Sequence, residues 1–213
     1  MMNWKNFSSL VHAGNYSSDL SSKGRMSELL IGRGVINNSC EKYHAWYPRG
    51  VKNSEYVNGF RYVDMNHSYF GEESVLVSEA SCCMIMILLD RETQLKFSAH
   101  ISAASDMKRL PWLLINTDLK FFFKSISCKL ERASLYLFSN KMDWNMDGSF
   151  EHRNIMSLLS ASLSQKQLEE LSRSTYLFQG ENGVRWNPFC AVRLKNSNAK
   201  QMMEISFVNP SIA

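Results

Sequence analysis

The stretch from Cys82 to Ile101 constrains this chain most. The run Cys82-Cys83-Met84-Ile85-Met86-Ile87-Leu88-Leu89 is apolar and contains β-branched residues. The polar, turn-like Asp90-Arg91-Glu92-Thr93 comes next. Gln94-Leu95-Lys96-Phe97-Ser98-Ala99-His100-Ile101 then alternates polar and apolar, the period-2 signature of a half-buried strand. The pattern predicts a β-hairpin. With Leu89 opposite Gln94 across a tight turn, Leu88 faces Leu95, Met86 faces Phe97 and Met84 faces Ala99, which makes one face wholly apolar. The other face pairs Ile87 with Lys96, Ile85 with Ser98, and Cys83 directly with His100. Directly opposed residues hold their Cβ atoms about 4.5–5.5 Å apart, within reach of a thiol and an imidazole. That pair is the minimum kit for an activated sulfur nucleophile. The plainer reading is a small core cysteine beside a structural histidine. Slipping the register by one residue would oppose Cys82 to His100 and bury Lys96 and Ser98 among the methionines. At about 1–3 kcal/mol for each unpaired polar group, that slip is disfavoured.

With 213 residues the chain can bury one sizeable core. Its net charge of +4 comes from scattered Lys and Arg, and a pair such as Lys108-Arg109 is not the basic stripe that nucleic acid requires. No apolar run approaches the length of a membrane-spanning helix, and Met1-Met2-Asn3-Trp4-Lys5-Asn6-Phe7 lacks the apolar core of a signal peptide. Delivery by a specialised secretion system would need no such core. The 5 cysteines, Cys40, Cys82, Cys83, Cys128 and Cys190, are odd in number and show no CxxC spacing. Free thiols in a reducing compartment are therefore expected, with no zinc ribbon. No glycine-rich phosphate loop is present, since Ile31-Gly32-Arg33-Gly34 is too short. No metal or organic cofactor is expected.

Residues 1–55 read as an irregular N-terminal extension rich in Ser, Asn and Gly, with one helix-like stretch at 26–31. His44, Trp46 and Tyr47 suit an aromatic patch over the core or a binding surface. Residues 56–213 read as one α+β domain. Strands are expected at 60–65, 74–78 and 134–138, and two closing strands at 190–194 and 203–208 with a turn at 196–198. A helix over 112–130 turns Leu119, Phe122, Ile126 and Leu130 inward, and one over 154–163 does so with Ile155, Leu158, Leu159 and Leu163. Residues 143–149 read as a turn-rich loop, and Ser164 as the N-cap of a further short helix.

These residues resemble the CheD family, the chemoreceptor glutamine deamidases. That family places a Ser-Cys before an apolar strand ending in Asp seven residues after the Cys, then a His seventeen residues after it. Cys83, Asp90 and His100 keep both spacings. His152-Arg153-Asn154-Ile155 matches the family's Arg-Asn opening a helix, and the likeness spans roughly residues 60–208. The same fold and pair are similar to those of the deamidase domains of cytotoxic necrotizing factors. The resemblance implies a CheD-like mixed β-sandwich flanked by helices, with the Cys–His pair on a central β-hairpin. It implies a cofactor-free protein-glutamine deamidase in which Cys83 is the nucleophile and His100 its base.

A third group should orient His100. The family often has a Thr six residues before the Cys; here Val77 stands there with Ser78 beside it, leaving the Val77 carbonyl and the Ser78 hydroxyl both open. Other family features are altered. Glu79-Ala80-Ser81-Cys82 replaces a Gly-Leu-Gly-Ser, and Gly180-Glu181-Asn182-Gly183-Val184-Arg185 is a loose stand-in for a C-terminal Gly-Gly and Gly-Arg. The reshaped groove and the unrelated extension favour an effector-like enzyme acting on a glutamine of a host protein. The alternatives are a chemoreceptor deamidase of bacterial chemotaxis and an inactive CheD-like binding protein. The expected location is the bacterial cytoplasm or, after specialised secretion, a host cell.

Overall fold

The computed structural model describes residues 2–3, 5–7, 36–38, 50–80, 83–102, 110–139, 150–179, 189–197 and 200–208. Its strands are β1 (Ile36–Asn38), β2 (Tyr56–Val57), β3 (Phe60–Val63), β4 (Ser68–Gly71), β5 (Val75–Ala80), β6 (Met84–Asp90), β7 (Lys96–Ile101), β8 (Ala133–Ser139), β9 (Thr175–Gln179), β10 (Phe189–Ser197) and β11 (Lys200–Val208). The helices are α1 (Leu110–Ser125), α2 (Phe150–Ser160) and α3 (Gln165–Ser172), with a short 3-10 turn at Leu130–Arg132. The fold is α+β, and both of its sheets are mixed. One sheet runs β1-β11-β10-β5-β3-β2 and the other β4-β7-β6-β8-β9.

The apolar pattern dictates three layers. Met84, Met86, Leu88, Phe97 and Ala99 turn toward the helices and pack with Ile115, Leu119 and Phe122 of α1 and Ile155 and Leu159 of α2. Ile85, Ile87 and Leu89 turn the other way and meet Val63, Val75, Val77, Val192 and Leu194 of the first sheet. The inward stripes expected for α1 and α2 are buried. α1 stops at Ser125, where Ser127 and Cys128 adopt left-handed backbone (φ 54° for both) and the Cys128 N–H donates to the Phe123 carbonyl. Ser164 caps α3 in a capping box with Gln167. Met2 and Phe7 are buried in the helical core, and β1 pairs in parallel with β11.

The hairpin register differs from the sequence expectation. Leu89 pairs with Lys96, Leu88 with Phe97, Met86 with Ala99 and Ile85 with His100. The turn is therefore Arg91-Glu92-Thr93-Gln94, and Asp90 closes the strand by donating its N–H to the Leu95 carbonyl at 3.0 Å. The reason is the Asp90 carboxylate. It accepts from the Thr93 hydroxyl at 2.5 Å and the Glu92 N–H at 3.3 Å, and Arg132 grips it through two nitrogens. An aspartate so engaged anchors the strand end instead of entering the turn. Burial opposes its ionisation, but the bonds from Arg132, Thr93 and Glu92 prevail and hold it below the usual carboxylate range. A shift of two residues preserves which side chains share a face. It does not preserve direct opposition: His100 pairs with Ile85, and Cys83 precedes the first residue of β6.

A second correction concerns β7, which is buried along its whole length rather than half-buried. The first sheet covers the face carrying Lys96, Ser98 and His100. The Lys96 ammonium is satisfied there by the Glu72 and Glu73 carbonyls and Asn196 Oδ1, each at 2.9 Å. It ties the hairpin to the turn before β5 and to β10.

Burial lowers the affinity of Lys96 for its proton to about 8, partly offset by the Glu72 and Glu73 carboxylates. An unfolded lysine titrates near about 10.4, so between about pH 8 and pH 10 the unfolded chain binds more protons and stability rises with pH. Lys96→Met should cost about 2–3 kcal/mol at pH 7, because buried acceptors lose their donor. It should also remove that rise, as measured by denaturant unfolding at several pH values.

Candidate active site

β5 belongs to the first sheet and β6 to the second, so the chain passes between sheets just before β6. Cys83 stands at that crossing. Against β10, the pairing shifts so that one extra residue of β5 lies between Val77 and Ala80. Such bulges bend a strand and re-aim the residues beyond it. The Cys83 thiol is outside any disulfide and buried, in the apolar interior with Val77 and Ile85.

The second chain crossing, residues 64–67 between β3 and β4, sits at the same end. It is fastened to the main chain around His100. The Asn66 N–H donates to the His100 carbonyl at 2.7 Å, and the His100 N–H donates to the His67 carbonyl at 3.1 Å. Asn66 Oδ1 accepts from the Ser102 N–H at 3.1 Å. Asn66 itself adopts left-handed backbone, φ 62°, which asparagine tolerates. Met65, half exposed, extends from this loop over the thiol: Cys83 Sγ donates to Met65 Sδ at 3.9 Å.

His100 is 2% exposed, and among the described residues neither ring nitrogen meets a hydrogen-bond partner. Burial drives its proton affinity down to about 4, the Asp64 carboxylate pulling it up and His67 pushing it down. The ring is neutral at physiological pH and keeps a lone pair available. A buried polar group without a partner costs about 1–3 kcal/mol.

Of the residues expected at the site, Cys83, His100 and Val77 come to one end of the sandwich interior. The Val77 backbone pairs with Val63 on one side and Val192 on the other, and its carbonyl makes no bond to the His100 ring. The side chain of Ser78 lies outside the described residues, as do His44, Trp46, Tyr47, Cys82 and residues 180–185. The Arg-Asn match falls in the body of α2 instead of opening a helix, because α2 begins at Phe150. Its helix packs on the face of the second sheet opposite to Cys83, with Arg153 exposed and Asn154 buried. Asp90, matched to the family spacing, is the hairpin's anchor. Asp64 and Met65 are additions from the structure. The sequence places both inside the expected strand 60–65, whereas β3 ends at Val63 and they belong to the crossing between sheets. Among the described residues, no three His, Cys, Asp or Glu side chains gather as a metal site requires.

No family model and no curated protein matches the chain.

His100 gives a stability signature. Its folded proton affinity lies below the unfolded value near 6.5, so stability is lost as pH falls from about 6.5 to 4. His100→Leu should unfold at an equal or higher denaturant midpoint at pH 7 and lose that acid-side slope. A histidine serving packing through hidden bonds would instead lose about 1–3 kcal/mol on replacement.

Proposed function

We propose that the protein is a protein-glutamine deamidase in which Cys83 is the nucleophile and His100 the general acid and base. One observation carries this reading: a buried, neutral imidazole, unpartnered among the described residues, stands opposite Ile85, two residues after a buried thiol where the chain crosses between sheets. As substrate enters, Cys83 Sγ gives its proton to His100 and bonds to the side-chain amide carbon of a glutamine. The backbone N–H of Cys83 and a neighbour hold the oxyanion, a contribution of about 3–4 kcal/mol in comparable sites. The imidazolium protonates the departing ammonia, leaving a thioester. Water activated by His100 then hydrolyses it, returning the thiol and producing glutamate. The Ser78 hydroxyl remains the proposed acceptor for orienting the imidazole, since the Val77 carbonyl makes no bond to the ring, and Asp64 supplies a negative charge that favours the imidazolium.

The family likeness from the Cys83, Asp90 and His100 spacing supports deamidation over other thiol chemistries on a comparable pair. The target we favour is a host protein, the enzyme reaching it as a secreted effector. A chemoreceptor target within the bacterium is the second reading, and an inactive binding protein the third. The described helices include none long and apolar enough to cross a membrane.

Incubation with a proteolysed pool of host or bacterial protein should yield glutamine peptides carrying the mass gain of amide-to-acid exchange. Cys83→Ser should keep its fold and abolish that gain; retention would sink the assignment. An added primary amine should leave the product as glutamate, whereas a transglutaminase would incorporate the amine. Because His100 must be neutral to accept a proton, kcat/KM should be level from about pH 5 to pH 8 and fall below about pH 4.5.

A further inference from the structure

Met65 touches the nucleophile in an informative way. Its side chain is unbranched, and its δ sulfur lies 3.9 Å from Cys83 Sγ. Glutamine is also unbranched through Cγ, and its δ position is the amide carbon, the atom a thiolate attacks. The thioether therefore stands where the reacting carbon of a glutamine would stand, presented from outside: Met65 is 49% exposed and the thiol 4%. A thioether lacks a leaving group and accepts the thiol proton only weakly, so it can occupy this position without reacting.

The surrounding backbone is pinned. Asp64 donates its N–H to Asn53 Oδ1 at 3.2 Å, and His67 donates its N–H to the Asp64 carbonyl at 3.1 Å. Asn66 and His67 exchange main-chain bonds with His100 itself. Loop opening would break those bonds and displace the proposed base. Rotation of the Met65 side chain would break none of them, and methionine has three rotatable bonds with little preference among rotamers.

We infer that Met65 is a built-in substrate mimic: its side chain fills the glutamine channel above Cys83, and a substrate glutamine enters by displacing it. This rests on the deamidase reading and specifies how that site admits its substrate. The channel then has the width of one unbranched side chain and admits glutamine, while β-branched side chains are refused. Solvent also has little access to the thiol between turnovers.

The inference has a test in cis. Met65→Gln places an amide carbon at the δ position beside Cys83 Sγ. The thiol proton passes to His100, Sγ bonds to that carbon, and ammonia leaves with the proton from the imidazolium. Water then cleaves the thioester to a carboxylate and restores the thiol. Purified Met65→Gln protein should convert its residue 65 side chain to the acid, read by peptide mass spectrometry. The same substitution combined with Cys83→Ser should keep the amide. A second variant separates the two claims. Met65→Ala should raise the rate of Cys83 modification by iodoacetamide at least about tenfold over the unaltered protein, with Cys128, which is exposed, as the internal reference. Faster alkylation without conversion in cis would uphold Met65 as the cover and overturn the deamidase reading. Unchanged alkylation would overturn the mimic whatever the chemistry of Cys83. Conversion that persists without the Cys83 thiol would be spontaneous and would overturn both.

Discussion

A strand carrying Lys, Ser and His along one face ordinarily turns that face to water. In β7 a second sheet covers it, and the remaining architecture depends on how each polar group is accommodated. Lys96 survives because three oxygens surround its ammonium. That arrangement clamps one end of the sandwich through groups from the turn before β5 and from β10. His100, at the other end, receives no such accommodation among the described residues. The same burial therefore makes one group a structural tie and leaves the other neutral.

Among the described residues, the end that holds His100 carries two crossings between sheets, at residues 64–67 and just before β6. Crossings interrupt strand pairing, and the backbone there needs other partners. The first crossing finds them in the main chain of His100 and in the Asn53 and Asp64 side chains. Met65 is thereby placed over Cys83 by the bonds that fix the histidine. Cys83, His100 and Met65 are thereby linked through one loop.

Much of this is legible in the sequence where the period of one element suffices. The stripes Leu119-Phe122-Ile126 and Ile155-Leu158-Leu159 mark their helices, and the alternation from Gln94 to Ile101 marks β7 and its faces. The sequence misleads where one side chain or a second layer decides. The register moves by two residues because the Asp90 carboxylate, held by Arg132 from 42 residues away, belongs to the strand and not the turn. Alternation predicts half-burial for β7 because it cannot tell water from another sheet. β4, four residues ending at Gly71, and β9, with Thr175 and Leu177 turned inward beside β8, are too short to show a period of their own. The pairing of His100 with Ile85 and the contact of Met65 with Cys83 depend on these long-range facts.

The central claim is that His100 serves as the base of the Cys83 thiol, and the pH dependence of Cys83 alkylation tests it most directly. Iodoacetamide modification would be followed by mass spectrometry from about pH 5 to 9 in Met65→Ala protein, with and without the further change His100→Leu. The account predicts reaction at Cys83 well below the ordinary thiol value of about 8.5, slowed about tenfold or more when the imidazole is lost. Equal rates with and without the imidazole, rising only near that ordinary value, would contradict it.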